Sequence, residues 1–326
     1  MSSINKKSIL VTGATGFIGS ALCEQLEKLD YQVIRGVNKD HKTKDLKLKN
    51  VIKLDFKEKN FNEWTKSLSN IDCVIHCAGK SDEKNKELKL INTYGTINLI
   101  KQCVNNDIKK FIFISSIKVN GEKSLVLKKN NKNIFYEIDE NYTLNPQSEY
   151  GKSKLDAENA IIQISKKNGI EYTIIRSPIV YGPGVKGNFL KLIKLLELNI
   201  PLPFKKINNK RSLIYIKNLI DLIITCVESK NSKNQIFLAS DDDALSTTEI
   251  LIYIGNELNI RNKLFYLPKF LLIFFFKIIG KKSISDKLFD SLLISNLKSK
   301  KVLGWKPVTD VREGLNQTAK WYQKNK

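Results

Sequence analysis

Tyr150 and Lys154 stand four residues apart in the run Tyr150-Gly-Lys-Ser-Lys154-Leu-Asp-Ala-Glu-Asn-Ala160, whose pattern predicts a helix. At that spacing two side chains share one helix face, so the phenol and the ammonium can serve one site. A free tyrosine, with a pKa of ~10, is a poor base at neutral pH. A nearby lysine cation favours the phenolate and makes the phenol usable as a general acid or base. The chemistry this predicts is proton transfer at an alcohol or carbonyl oxygen. A second run, Ile112-Phe-Ile-Ser115-Ser116, reads as a strand ending in two serines. There Ser116 could hydrogen-bond the same substrate oxygen and orient it. A lone Y-x-x-x-K pair arises often by chance, so the surrounding elements must decide.

Ile9-Leu-Val-Thr-Gly13-Ala-Thr15-Gly16-Phe17-Ile18-Gly19 places an apolar strand before a glycine turn and a helix after it. Gly13 permits a tight turn, Gly16 lets the backbone approach a pyrophosphate, and Gly19 allows close helix–strand packing. The helix N-terminus then offers free N–H groups and partial positive charge to phosphates. This context predicts a dinucleotide site.

Beyond the turn, short apolar runs alternate with helix-period stretches. Strands are predicted at Ser8–Thr12, Gln32–Val37, Val51–Leu54, Cys73–Cys77, Lys110–Ser115 and Tyr172–Arg176, with helices such as Phe17–Leu29 and Leu88–Asn105 between them. The alternation predicts an α/β fold, a Rossmann-like doubly wound parallel sheet. After Arg176 the pattern loosens around Pro178, Pro183, Pro201 and Pro203, which predicts a smaller C-terminal substrate-binding region. The expected division is a dinucleotide-binding domain over 1–176 and a mainly substrate-binding region over 177–326. Residues 210–240, with Ile214–Val227 and Gln235–Ala239, are expected to return to the main sheet.

The chain has 326 residues, 42% hydrophobic and 27% charged, as in a globular protein. Its formal net charge is +22. The lysines are spread along the chain, often beside asparagine as in Lys128-Lys-Asn-Asn-Lys-Asn133, and no nucleic-acid motif appears, so no nucleic-acid partner is expected. The N-terminal residues lead straight into the first strand without a signal-like apolar block. Five scattered cysteines argue for a reducing compartment, and together these readings predict a cytoplasmic protein. Cys73, His76 and Cys77 lie close together, but neighbouring strand residues face opposite ways and no second ligand pair follows, so no metal is expected.

In order and spacing these motifs resemble those of the extended short-chain dehydrogenase/reductase family, in its NAD-dependent epimerase/dehydratase branch. The likeness covers nearly the whole chain, to Leu303-Gly-Trp-Lys-Pro307. It implies that Asp55 and Phe56 contact the adenine, that His76-Cys77-Ala78-Gly79 form the fourth-strand motif with Cys77, Ala78 and Gly79 at the cofactor, and that Asn92 positions a proton-relay water. It implies that Lys154 holds the cofactor ribose and tunes Tyr150. The cofactor implied is NAD; NADP stays open, because Asn38 stands where NAD-dependent members carry an acid and Arg35 is close by.

Arg176-Ser177-Pro178-Ile-Val-Tyr-Gly-Pro-Gly184 resembles the segment that nucleotide-sugar enzymes of this family place between cofactor and sugar. Arg211-Ser-Leu-Ile-Tyr-Ile-Lys-Asn-Leu219 resembles their diphosphate-binding stretch, where Arg211 would pair with the diphosphate. Lys118 and Asn188 are further candidate substrate contacts. Dehydratases of the family carry an acidic pair after the serine equivalent to Ser116; here Ile117 and Lys118 stand there, which argues against dehydration. Two outcomes remain: a C4 epimerase that retains its NAD, or an NAD(P)H-dependent 4-keto reductase. A homodimer is common in the family and is expected.

One segment lies outside this scheme. Residues 264–280, Leu264-Phe-Tyr-Leu-Pro-Lys-Phe-Leu-Leu-Ile-Phe-Phe-Phe-Lys-Ile-Ile-Gly280, are very apolar but too short for a ~30 Å bilayer core. A buried helix or subunit contact is expected. Shallow docking on a membrane face, helped by Lys281 and Lys282, is the alternative.

Overall fold

The computed structural model describes residues 7–39, 50–57, 64, 67–129, 132–261, 263–278, 280 and 288–326. Eleven strands are described: β1 (Ser8–Thr12), β2 (Gln32–Val37), β3 (Val51–Lys53), β4 (Cys73–His76), β5 (Lys110–Ser116), β6 (Val126–Lys129), β7 (Lys132–Phe135), β8 (Glu171–Ser177), β9 (Ile179–Tyr181), β10 (Leu213–Tyr215) and β11 (Gln235–Leu238). The helices are α1 (Phe17–Lys28), α2 (Thr96–Asn105), α3 (Glu149–Asn168), α4 (Gly187–Glu197), α5 (Ile216–Glu228), α6 (Thr247–Glu257), α7 (Lys269–Ile278), α8 (Leu297–Leu303) and α9 (Val311–Lys324). A π-helical stretch, Leu90–Gly95, leads into α2.

Seven strands form one parallel sheet in the order β11-β8-β5-β4-β1-β2-β3. Its strands read as continuous apolar runs because both faces are covered: all five residues of β1 are buried. Alternate side chains enter opposite cores. Ile9 and Val11 join α1 and α5 in one cluster, while Leu10 joins Val74, Phe111 and Phe113 in the other. The chain runs from β1 outward to β2 and β3, then crosses back to lay β4 on the other side of β1. That reversal opens a crevice at the carboxyl ends of β1 and β4, the usual ligand position in such sheets.

Two expectations change. Gln235–Leu238 does return to the sheet, pairing with β8. Ile214–Val227 does not return as a strand: β10 ends at Tyr215, pairs with β9 in a separate two-stranded sheet, and the rest is α5, which packs against α1. Nine residues of α5 are buried, including the adjacent Leu222, Ile223 and Ile224, so burial over most of its circumference hid the helical period. The second change concerns 264–280. Residues 269–278 are helical, yet among them only Leu272 is buried, so the buried-helix reading is overturned. Lys281 and Lys282 lie outside the described residues. No helix among the described residues is long and apolar enough to cross a membrane.

Candidate active site

The glycine turn is built as its spacing requires. Gly13 has φ +69°, and a side chain there would meet the Ala78 backbone nitrogen at 2.8 Å. A Cβ on Gly19 would lie 2.2 Å from the Gly13 carbonyl oxygen, so only glycine lets α1 start this close to β1. No side chain caps α1 at Gly16, leaving its first-turn N–H groups, from Phe17, Ile18 and Gly19, facing the crevice. Thr15 is half-buried in the same turn. This cradle and uncapped helix end fit a dinucleotide pyrophosphate.

The other parts of the pattern are placed unevenly. Arg35 is buried in β2 with its guanidinium forked onto the carboxylate of Glu27 on α1, at 2.6 and 2.8 Å. Its guanidinium is committed to that pair, which offsets the charge that, with the missing acid at Asn38, had left NADP open. Asn38 is exposed just past β2. Asp55 accepts a hydrogen bond from the Lys57 backbone in the turn after β3. Phe56 turns its ring inward, edge-on to Trp64 and against His76, so anything it offers a ligand comes from its backbone.

At the end of β4 a histidine holds the motif in place. Thr96 donates its hydroxyl to the Asn92 carbonyl at 2.6 Å, so its oxygen accepts from His76 Nε2 at 2.9 Å. His76 Nδ1 is then an acceptor, and takes the Thr12 hydroxyl proton at 2.6 Å. The Thr12 oxygen in turn accepts from the Ala78 N–H at 3.3 Å. This chain needs a neutral imidazole, and burial together with the Lys154 charge holds His76 well below its ordinary pKa. Sequence reading considered His76 only as a metal ligand or motif member; its two threonine partners lie 64 and 20 residues away. Among the described residues no group of three histidines, cysteines or carboxylates could hold a metal ion.

The Asn92 side chain is tied into the protein. Its Oδ1 accepts from the Lys80 N–H at 2.8 Å, and its Nδ2 donates to the Lys80 carbonyl and the Ser153 hydroxyl. Both amide protons are used in pinning the loop after β4 to α3.

Ser116, Tyr150 and Lys154 do come together. Alternation at the end of β5 sends Ser115 to Glu158, at 2.5 Å, and Ser116 the other way, into hydrogen-bonding contact with Tyr150. Helix α3 begins at Ser148, whose hydroxyl accepts from the Gly151 N–H, and so carries Tyr150 and Lys154 in its first two turns. A cleft is lined by Ile18, Cys77, Gly79, Ile114, Ser115, Tyr150, Lys154 and Ser177, and Ser116 adjoins it through Tyr150. Pro178 is buried just past Ser177.

The electrostatics differ from the simple pair. Lys154 Nζ donates to the Ile114 carbonyl at 2.9 Å and lies 4.4 Å from the centre of the Phe113 ring. Burial pushes its pKa down to about 8. Burial raises the Tyr150 phenol above its ordinary value, while the Ser116 hydrogen bond and the Lys118 charge oppose that rise. Lys118 Nζ lies over the Tyr150 ring, 5.8 Å from its centroid, and is ion-paired with Glu83 at 2.8 Å and Glu122 at 2.9 Å. Lys118 thus adds a cation beside the phenol, in addition to the Lys154 of the same cleft. Ile117 is buried and Lys118 is a cation, so no acidic pair occupies the two positions after Ser116.

Behind the site, Glu158 and Arg176 form an ion pair at 2.6 Å with side chains 1% and 3% exposed. Arg176 also donates to Asn120 at 3.0 Å. Arg211 is half-buried, held by backbone bridges to Leu245 and Leu292, and donates to the Asp290 carbonyl at 3.0 Å. Burial lowers its pKa, yet a guanidinium stays charged. Asn188 is exposed in the first turn of α4.

The comparisons with known proteins agree with this architecture. A UDP-glucose 4-epimerase of Vibrio cholerae is 40% identical over 96% of this chain and 94% of its own. The crystal structure of a UDP-glucose 4-epimerase from Thermotoga maritima with UDP-glucose matches with a TM-score of 0.76 at 21% identity, covering 98% of this chain and 99% of that one. A UDP-glucuronic acid 4-epimerase from Bacillus cereus, in complex with UDP-glucuronic acid and NAD, matches with a TM-score of 0.77 at 23% identity, covering 98% and 100%. The model of the NAD dependent epimerase/dehydratase family matches residues 9–239. With that match, the glycine cradle and the cleft that Tyr150 and Lys154 line, the chain belongs to the NAD dependent epimerase/dehydratase family.

Proposed function

We propose that this chain is a UDP-sugar 4-epimerase that keeps its NAD through the reaction. The observation that carries the reading is the 40% identity to a UDP-glucose 4-epimerase across 96% of the chain. The site residues support it.

NAD in the glycine cradle supplies a reversible hydride acceptor for C4 of the sugar. Everything else is done by the chain. Tyr150 takes the C4 hydroxyl proton and later returns it, with Ser116 orienting the oxygen. Lys154, in the cleft, holds a ribose hydroxyl with a proton that Ile114 does not use. Arg211 meets the diphosphate of the substrate. Held through its diphosphate at Arg211, the sugar would be free to turn and present its other face to Tyr150 and Ser116. Exposed Leu90 and Tyr94, on the turn before α2, support the homodimer common in the family.

The test uses purified protein, UDP-galactose or UDP-glucose, and no added cofactor. Interconversion of the two supports the proposal. Turnover only with stoichiometric NAD(P)H and a 4-keto sugar overturns it in favour of a one-way reductase.

A further inference from the structure

Helix α7 has two apolar faces, and the fold uses one. Leu272 and Phe276, four apart, turn into the core. On the opposite side Phe270, Phe274 and Ile278, at the same four-residue spacing, are 68%, 63% and 67% exposed. Phe275 and Leu271 widen that outer stripe. A solvent-facing helix normally carries charge on its outer face; a contiguous aromatic one marks a surface that is covered by something.

The charge around it says what that is. Between Glu257 and Asp286 the sequence contains no acidic residue and six cations: Arg261, Lys263, Lys269, Lys277, Lys281 and Lys282. Lys269 and Lys277 bracket the helix, on side chains long enough to keep their ammonium groups at a headgroup level while the rings go deeper. A second copy of the chain would fit this face poorly, because a two-fold contact sets the same patch against itself, Lys269 and Lys277 against their own copies. An anionic surface is complementary. At ten residues the helix is roughly 15 Å long, too short to cross a ~30 Å hydrocarbon core but suited to lying in its boundary.

We propose that α7 docks the enzyme, in plane, on an anionic lipid bilayer, with Phe270, Phe274 and Ile278 at the acyl boundary and the lysines among the phosphates. Apolar insertion and charge attraction then contribute together. Neither depends on the catalytic assignment.

The experiment is co-sedimentation of the full chain with vesicles of phosphatidylglycerol mixed into phosphatidylcholine, against vesicles of phosphatidylcholine alone. The double variant Phe270→Ser/Phe274→Ser keeps every charge. The wild type should sediment with the anionic vesicles and not the neutral ones. The variant should lose roughly tenfold or more in partitioning per phenylalanine, at unchanged oligomeric mass and sugar turnover. Wild type that stays in solution with both vesicles overturns the proposal. So does a variant that binds as tightly as the wild type, since general basicity would then suffice. A variant with altered oligomeric mass assigns the face to a second copy and overturns it too.

Discussion

The Lys118 ammonium lies over the face of the Tyr150 ring, 5.8 Å from its centroid, although 32 residues separate the two in sequence. Lys154, on the same helix as Tyr150, donates one of its hydrogen bonds to the Ile114 carbonyl. Two carboxylates, Glu83 and Glu122, hold the Lys118 cation in place.

That relationship makes a prediction about pH. A cation beside a phenol favours the phenolate, so removing it raises the phenol pKa. The acid limb of the kcat profile, which rises as Tyr150 loses its proton, should therefore move to higher pH in Lys118→Met. Since Glu83 and Glu122 share the cation, the shift should be about one unit or less. Lys118→Arg should restore most of it. An unmoved limb would show that Lys118 has no hold on the proton.

Tyr150→Phe removes the proton-transfer oxygen and little else. Turnover should fall by roughly 10²–10⁴-fold. Bound NAD, released by denaturation and quantified by chromatography, should stay near the wild-type level. Wild-type turnover would sink the assignment.

Glu158→Gln tests the support behind the site. It leaves the buried Arg176 guanidinium without its counter-charge and weakens the Ser115 contact. The cost should be about 3–5 kcal/mol of unfolding free energy, measured by denaturant titration. A loss under 1 kcal/mol would mean that water or Asn120 compensates.

His76 predicts how stability responds to acid. Its folded pKa lies well below its unfolded value of about 6.5, so below that pH the unfolded chain binds the extra proton. Stability from the neutral imidazole is thus present above about pH 6.5 and is lost as pH falls. The slope should approach 1.4 kcal/mol per pH unit until the folded pKa is reached. Denaturation of wild type and His76→Gln at several pH values should show that slope in the wild type only.

Much of the fold was legible because its signals are local. The strand-turn-helix at Ser8–Thr12, Gly13 and Phe17, and the alternation through β2, β4, β5 and β8, depend on backbone rules that act over a few residues. Buried parallel strands are apolar runs of the right length, and glycines mark where backbone must approach backbone. The i, i+4 spacing of Tyr150 and Lys154 likewise needs only a helix. The tertiary structure decided which distant side chains meet. Arg35 was available to a phosphate on paper, but β2 packs under α1 and gives it to Glu27. The partners of Asn92 could not be read along the chain, but the loop after β4 and Ser153 take its amide protons. Residues 214–227 and 269–278 are both apolar runs, yet the first is a helix buried under the sheet and the second is left outside it. Composition states that a segment is apolar; only the order of strands and the helices laid across them determine which apolar faces find a protein partner, and which charges are spent on one another.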